Sequence, residues 1–488
     1  MKLTKLIEKC NLIAVRGNEE AEVTSVTSDS RTVQLGSLFI AVEGICTDGH
    51  AYIGKAIEKG AAVVVYDKPM IEEYFSRVTY LQVEDSAVAL ALIASEWYGN
   101  PSQQLKLVGV TGTNGKTTIA TLLYRMFRNL GYPAGLLSTV ANYVNDDHYP
   151  TTHTTPDPIT VNSYLRKMVD AGCEYAFMEV SSHAIYQQRV YGLHFVGGIF
   201  TNLTQDHLDY HKNMLDYRNV KKIFFDHLPD DAFALTNIDD KNGLVMLQNT
   251  RARKHSYSVQ GMADFKARIF EKHFDGTNIE INGKELVVQF VGVFNVYNLL
   301  AVYGTAMLLG IGENEVLRQL SLLKPVAGRF QTIRSPKDYT AVVDYAHTPD
   351  ALTNVLNAIH EVLGKRGRLI TVVGCGGNRD STKRPIMARE AVVLSDKVVL
   401  TSDNPRFEEP EDILQDMIDG LTEDQKSAAL TIIDRREAIK TACALAQPGD
   451  VILIAGKGHE NYQEIKGVKH HFDDKEEVEK IFSSQHNM

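Results

Sequence analysis

"LKLVGVTGTNGKTTIATLLYRMFRNLG", residues 105–131, passes from a short apolar strand pattern through a glycine turn into a stretch of helical spacing that stops at glycine. Strand, turn and helix in that order suit a phosphate loop, because backbone N–H groups and a helix N-terminus attract phosphate oxygens. Gly112, Thr113, Asn114 and Gly115 then form the cradle, Lys116 reaches the β- and γ-phosphates, and Thr117, with Thr118 beside it, offers a hydroxyl to Mg²⁺. Strict Walker A spacing needs glycine at position 110, where this chain has Val110, so the loop is a shorter variant. The plain alternative is an ordinary glycine turn before a helix; the Gly-Lys-Thr core in this context favours a nucleotide. No Asn-Lys-x-Asp guanine-reading signature occurs, which favours ATP over GTP.

Around this stretch, strand-like and helical runs alternate. "SLFIAV" (37–42) and "AAVVVY" (61–66) precede it, and "YAFMEV" (175–180) and "VGGIFTNL" (196–203) follow. The alternation predicts an α/β fold with wound, largely parallel sheets. Near "KPVAGRFQ" (324–331) the pattern restarts with "YTAVVDYA" (339–346), "RLITVVGC" (368–375), "DKVVLTSD" (396–403) and "DVILIAGK" (450–457), each opening into a polar or glycine-bearing loop. In open α/β sheets ligands bind beyond the carboxyl ends of strands, so these loops are candidate sites. The 488 residues exceed one ordinary core, and "NPSQQ" (100–104) reads as a linker. Three domains are expected, at 1–102, 103–327 and 328–488.

A net charge of −10 argues against a broad nucleic-acid-binding face but not against local basic pockets. The 5 cysteines are scattered and odd in number, with no C-x-x-C pair, which fits a reducing cytoplasm rather than a disulfide framework. No signal-peptide pattern and no apolar run of the ~18 residues that span a membrane is visible, so the expectation is a cytoplasmic protein without a membrane or nucleic-acid partner.

Glu179 ends one strand pattern, and Asp206, His207, Asp209 and His211 follow the next. Carboxylates at adjacent strand ends suit the Mg²⁺ that phosphoryl transfer requires. A zinc pair at His207 and His211 is the weaker reading, since no third ligand is evident. "TSDNPRFEEP" (401–410) is a loop on its Asn-Pro turn signal, either a solvated surface turn or a grip for an anion through Arg406.

Together "GTNGKTT", "EVSSHA", "NLTQDHLDYH", "GRF", "DYAHTPD", "GCGGNRD", "DNPR" and "GKGHE" occur in the order seen in the Mur ligases. The chain resembles that family from "DSR" (29–31) to "GKGHE" (456–460), and within it the branch that adds the third residue of the peptidoglycan stem peptide. The resemblance implies an N-terminal UDP-sugar-binding α/β domain, a central P-loop ATPase-like wound sheet and a C-terminal Rossmann-like domain that binds the amino acid. It implies ATP-driven amide formation through an acyl phosphate, with UDP-MurNAc-L-Ala-D-Glu, ATP and meso-diaminopimelate as substrates and a monomer as the working form.

By the same resemblance, Ser28, Ser30, Ile45, Cys46 and Thr47 hold the uridine nucleotide, and Thr154, Thr155, Ser181, Gln187 and Arg189 hold the muramoyl-dipeptide. Thr117, Glu179 and His207 fall on magnesium positions, and Lys221 on the family's carbamylated lysine, whose carbamate helps hold a second Mg²⁺. Without the resemblance Lys221 reads as an exposed helix lysine. Lys116, His207 and Lys221 are thus the implied catalytic set. Asn298, Arg329 and Asp344 match positions around the adenosine. Arg379, Asp403, Asn404, Pro405, Arg406, Gly456 and Glu460 match the amino-acid pocket. His153 stands where the family often has Asn, and Asn378 where it often has Asp; both adjoin implied ligand positions. The alternatives are a sister ligase that adds lysine or another amino acid, and a regulatory ATP-binding module without ligase chemistry. A site assembled from all three segments is expected.

Overall fold

The computed structural model describes residues 1–44, 47–69, 74–151, 153–364 and 366–485, and places them on three main sheets. The first has five strands, in the order Leu12–Arg16, Thr79–Val83, Ala61–Tyr66, Ser37–Ile40, Ser25–Thr27. "NPSQQ" is not a loose linker: Pro101–Gln104 forms a 3₁₀ turn with Pro101 and Ser102 buried, and the Ser102 hydroxyl accepts from His194 N at 3.0 Å.

The central sheet has eleven strands. Its parallel middle runs Ala134–Leu137, Tyr175–Glu179, Lys106–Thr111, Gly197–Phe200, Phe233–Asn237, Arg253–Ser258. The strand Lys106–Thr111 comes first in the chain yet lies between two later ones, so the connections run to either side of its carboxyl end. That is where an open α/β sheet leaves a crevice. Antiparallel hairpins extend both edges, which the sequence reading did not anticipate. One of them turns at Asn282-Gly283, both at positive φ (46° and 86°), the conformation of a tight hairpin turn.

Helix Lys116–Asn129 buries Ile119, Leu122, Leu123, Met126 and Phe127 against this sheet and helix Val293–Leu308. Each fully buried apolar side chain of this size stabilises the packing by about 1.5–3 kcal/mol. That packing fixes where the helix begins, and hence where Lys116 sits.

The third sheet has six strands, in the order Gln331–Arg334, Thr340–Asp344, Val451–Ala455, Leu369–Val373, Lys397–Leu400, Ala429–Thr431. All neighbours are parallel except the first pair. The four strands anticipated here from apolar runs are all present. Among the described residues no helix is long and apolar enough to cross a membrane.

Candidate functional site

One cleft of about 1500 Å³ lies between the carboxyl ends of the central and third sheets. It is lined by the phosphate loop, by the segments after Tyr175–Glu179 and Gly197–Phe200, and by four loops of the third sheet. Among the described residues, those lining this cleft come from the central and third segments.

The phosphate loop is held tightly. Gly112 has φ 149° and Gly115 φ 89°, and Gly115 opens the helix. A Cβ on Gly112 would stand 1.8 Å from the Thr201 hydroxyl, which itself donates to Asn114 O at 2.6 Å. We expect Gly112→Ala to lower stability by about 1–3 kcal/mol, the usual range for overpacking, and to weaken nucleotide binding. Thermal melts with and without ADP would check this; unchanged stability and affinity would contradict the packing.

Lys116 lines the cleft and donates from Nζ to Gly112 O at 3.0 Å and Thr113 O at 2.8 Å. Burial pushes its pKa down, and Glu179 and Asp206 oppose that. The Thr117 hydroxyl donates to Glu179 Oε2 at 3.0 Å and accepts from Arg329 Nη2 at 3.2 Å. Thr139 N donates to the other Glu179 oxygen at 2.7 Å.

Lys221 is not an exposed helix lysine. It sits on the buried face of Met214–Asp226 with 1% of its surface accessible, donates to Gly112 O at 2.9 Å and lies 4.6 Å from the Tyr217 ring centroid. Burial, reinforced by Lys116, drives its pKa well below the ordinary lysine value, although Asp206 pulls the other way.

The zinc reading fails on geometry. His207 and His211 lie in turns before that helix, and the His211 Nε2 is taken by the Ser182 hydroxyl at 2.9 Å. Among the described residues no three His, Cys, Asp or Glu side chains converge to hold a metal by themselves. Burial brings the His207 imidazole to a pKa of about 3 despite Asp206 Oδ2 at 3.3 Å, so the ring is neutral near pH 7. Burial would raise the Asp206 carboxyl, but His207, His347, Lys383 and Lys116 outweigh it and hold its pKa to about 2.

Thr154, Thr155, Ser181, Gln187 and Arg189 form one network. Thr155 donates to Glu179 O at 2.8 Å and accepts from Ser181 N at 3.1 Å, while Arg189 donates to Thr155 O at 2.8 Å and to Gln187 Oε1 at 2.7 Å. Thr154 accepts from the Thr139 hydroxyl at 3.0 Å, and His153 lines the same wall. Ser28, Ser30 and Thr47 lie in the first-sheet unit, away from the cleft lining; Ile45 and Cys46 lie outside the described residues.

On the opposite wall, Asn298 approaches Gly115, and the Arg329 guanidinium lies 4.4 Å from the Tyr345 ring centroid. Asp344 accepts from Phe330 N at 2.6 Å, and burial raises its pKa to about 6, with Arg329 opposing.

"TSDNPRFEEP" is a turn but not a solvated one: Thr401 to Pro405 are all buried. Asn404 Nδ2 donates to Glu460 Oε2 at 2.7 Å. Lys457, fully buried, donates to Asn404 Oδ1 at 3.1 Å and to Glu460 Oε2 at 3.3 Å, and so ties two loops together. Gly456 has φ 117°, and a Cβ there would meet Asp403 Oδ2 at 2.5 Å. Arg406 has φ 53°, and its Nη1 donates to Gly377 O at 2.7 Å. Asn378 accepts from Phe407 N at 3.0 Å and donates its own N–H to Glu408, so it fixes the loop that carries Arg406. Exposed Arg379 lines the cleft on the same loop as Asn378.

Sequence reading passed over Lys457, Tyr345 and Lys383. Lys457 stands inside the quoted "GKGHE", and Tyr345 inside "DYAHTPD", so position in a motif was the available signal. Lys383 had none.

The arrangement can hold a nucleotide triphosphate across from a pocket of mixed charge. Three family models match the chain: "Mur ligase family, catalytic domain" over residues 22–98, "Mur ligase middle domain" over 110–306 and "Mur ligase, glutamate ligase domain" over 328–458. A curated protein of Parabacteroides distasonis, UDP-N-acetylmuramoyl-L-alanyl-D-glutamate--2,6-diaminopimelate ligase, is 62% identical over 486 residues, 99% of this chain and 100% of that one. A solved structure bearing the same ligase name superposes with a TM-score of 0.70 at 31% identity, covering 100% of both chains. The Thermotoga maritima MurF ligase in complex with ADP shares the fold, with a TM-score of 0.62 at 19% identity over 94% of this chain and 97% of that one.

Proposed function

This chain belongs to the Mur ligase family, and on that footing we propose that it is an ATP-dependent ligase that joins meso-diaminopimelate to UDP-N-acetylmuramoyl-L-alanyl-D-glutamate in peptidoglycan precursor synthesis. The observation that carries this reading is the shared cleft whose lining includes the phosphate loop, Asp403, Asn404 and Arg406 of the third-sheet loop, and Glu460. The proposed units are 1–102, which holds the uridine nucleotide through Ser28, Ser30 and Thr47, 103–327 for ATP, and 328–488 for the amino acid. The dipeptide end of the substrate reaches into the cleft along His153, Thr154, Thr155, Ser181, Gln187 and Arg189. The protein works as a cytoplasmic monomer.

A carboxylate is a poor electrophile, so its oxygen first bonds to the γ-phosphorus of ATP. The bond from that phosphorus to the β,γ-bridging oxygen breaks, and ADP leaves with the electron pair. The amine nitrogen of diaminopimelate then bonds to the acyl carbon, the bond from that carbon to the phosphate oxygen breaks, inorganic phosphate leaves with the electron pair, and the amine's proton passes to that phosphate or to solvent. The chain contributes positioning and charge. Lys116 neutralises charge on the transferring phosphoryl group, and Asn298, Arg329 and Asp344 hold the adenosine end.

The donor set beside the loop fits Mg²⁺: the Glu179 carboxylate and Thr117 hydroxyl are hard oxygen donors 3.0 Å apart, and His207 is kept neutral. These residues would hold the ion, which would neutralise phosphate charge. Lys221 suits carbamylation, because burial favours the uncharged amine, the form that adds carbon dioxide. Lys221→Ala is therefore expected to be inactive, with short-chain carboxylic acids restoring part of the rate by supplying the missing anion. Full activity without any additive would remove the carbamate.

The test of the whole reading is ATP-dependent phosphate release with the UDP-dipeptide, measured across diaminopimelate isomers and lysine. Release that requires the UDP-dipeptide and meso-diaminopimelate supports it. A preference for lysine would shift the substrate, and no release with any amino acid would leave only a nucleotide-binding module.

A further inference from the structure

Lys457 follows strand Val451–Ala455 by one glycine and is wholly buried, yet it is not among the described residues that line the cleft. Asp403, Asn404, Glu460 and Tyr462 surround its ammonium, and all four do line it. Nζ donates to Asn404 Oδ1 at 3.1 Å and to Glu460 Oε2 at 3.3 Å. It lies 3.7 Å from Asp403 Oδ1 and 5.5 Å from the Tyr462 ring centroid. A buried ammonium is ordinarily paired, because an unpaired one forfeits its hydration. Here the pairing sets the lysine behind the pocket wall, in contact with the side chains that form it.

Those contacts decide how two of the side chains present themselves. Asn404 Oδ1 accepts from Lys457 and from Glu464 N at 2.9 Å, which fixes the amide and turns Nδ2 to Glu460 Oε2 at 2.7 Å. Glu460 Oε2 thus takes two donors, while Oε1 carries a long bond from the Tyr345 hydroxyl at 3.4 Å. We propose that Lys457 is a positioning residue, which from behind the wall fixes Asn404 and holds Glu460 with Oε1 open to an ammonium of diaminopimelate. This rests on the ligase reading above.

Charge at this place favours an ammonium over an anion. Asp403 and Glu460 bring two carboxylates to one lysine, which leaves one negative charge to be met. Arg435 also feels both acids, but its guanidinium is bound by buried Asp474 at 2.7 and 2.8 Å. Burial keeps neighbouring His459 neutral, with a pKa of about 3, and keeps the Tyr345 and Tyr462 hydroxyls protonated; Arg329 stacks on Tyr345. Burial and Asp403 push the Glu460 carboxyl up, and Lys457 opposes them. Without Lys457, Glu460 would therefore hold its proton to higher pH, and a protonated carboxyl no longer attracts an ammonium. The loss on removing Lys457 should grow as pH falls and shrink as pH rises.

Two variants of the full chain test this. Lys457→Met removes both charge and donor, and Lys457→Gln keeps a donor for Asn404 without the charge. Acyl-phosphate formation needs no amino acid and is read by hydroxylamine trapping with ATP and the UDP-dipeptide. Ligation is read against meso-diaminopimelate concentration from about pH 6 to about pH 9. Trapping should stay within about threefold of the unchanged protein, which also shows that the chain is folded. The kcat/KM for meso-diaminopimelate should fall about 30-fold or more in Lys457→Met near neutral pH, the scale of leaving a buried charge without its partner, and by less in Lys457→Gln. In both variants the acid limb of kcat/KM should move to higher pH. If Lys457→Met does not fold, Lys457→Gln carries the test. An unchanged kcat/KM for meso-diaminopimelate, or a loss equal at every pH, would overturn the proposal. So would trapping that falls as far as ligation in both variants, which would make Lys457 a purely structural residue. Failure of the ligase reading would show separately, as no ADP release dependent on the UDP-dipeptide in the unchanged protein.

Discussion

Lys116→Met is expected to abolish ligation while leaving the fold intact. The lost step is phosphoryl transfer, where charge builds on oxygens that the phosphate loop faces. A cation aimed at that charge is worth about 1000-fold or more, about 4 kcal/mol of barrier. Stability should hardly fall, because Lys116 resides where burial disfavours its charge and a methionine of similar length avoids that cost. Of the two carbonyls it now contacts, Gly112 O keeps a second donor in Lys221 at 2.9 Å. Thermal melting together with ADP release dependent on the UDP-dipeptide checks both halves. Turnover near the unchanged level in a folded variant would remove Lys116 from the chemistry.

Arg406→Ala should cost about 2–5 kcal/mol in kcat/KM for meso-diaminopimelate, the range for breaking a buried charge pair, with the KM for ATP unchanged. Meso-diaminopimelate is lysine with one further carboxylate on the far carbon. A guanidinium meets a carboxylate with two parallel charge-assisted bonds. Arg406 is already oriented: Nη1 is anchored on Gly377 O at 2.7 Å and Nε lies 3.7 Å from Glu464 Oε2, while Nη2 has no acceptor among the described residues. Its backbone is anchored too, N donating to Glu464 O at 3.0 Å and O accepting from Lys466 N at 2.6 Å. Against lysine the fork would face an ammonium, and a site built for a polar group rejects an analogue that lacks it. Selectivity for meso-diaminopimelate over lysine should therefore collapse in Arg406→Ala. Retained selectivity, or an unchanged protein that prefers lysine, would reassign the pocket.

Several parts of this site were legible before the fold was. "GTNGKTT" between an apolar run and a helical run identifies a phosphate loop because strand, turn and helix N-terminus are all local features. The strand runs of the third sheet were legible for the same reason, and their ends marked the loops where Asp403, Arg406 and Glu460 stand. The antiparallel hairpins at the edges of the central sheet were not read, although Asn282-Gly283 is a local turn signal. The strand-end position of Glu179 already suited Mg²⁺, whereas the magnesium role of His207 and the carbamate role of Lys221 came from family resemblance, since nothing in their own neighbourhoods ranks them above other histidines and lysines.

Local chemistry thus determined the α/β class, the nucleotide loop and most of the loops that carry the site. Periodicity and turn propensity act over a few residues and are written directly in the chain. Only the tertiary structure decided which of those loops share a cleft, that its described lining comes from the central and third segments, and that Lys221 and Lys383 are buried beside it. A lysine on a helix has the same local sequence whether it faces water or a phosphate. Its charge state and its partners are set by what other segments bring against it, through desolvation and the field of distant charges such as Asp206, and those segments meet only when the sheets pack.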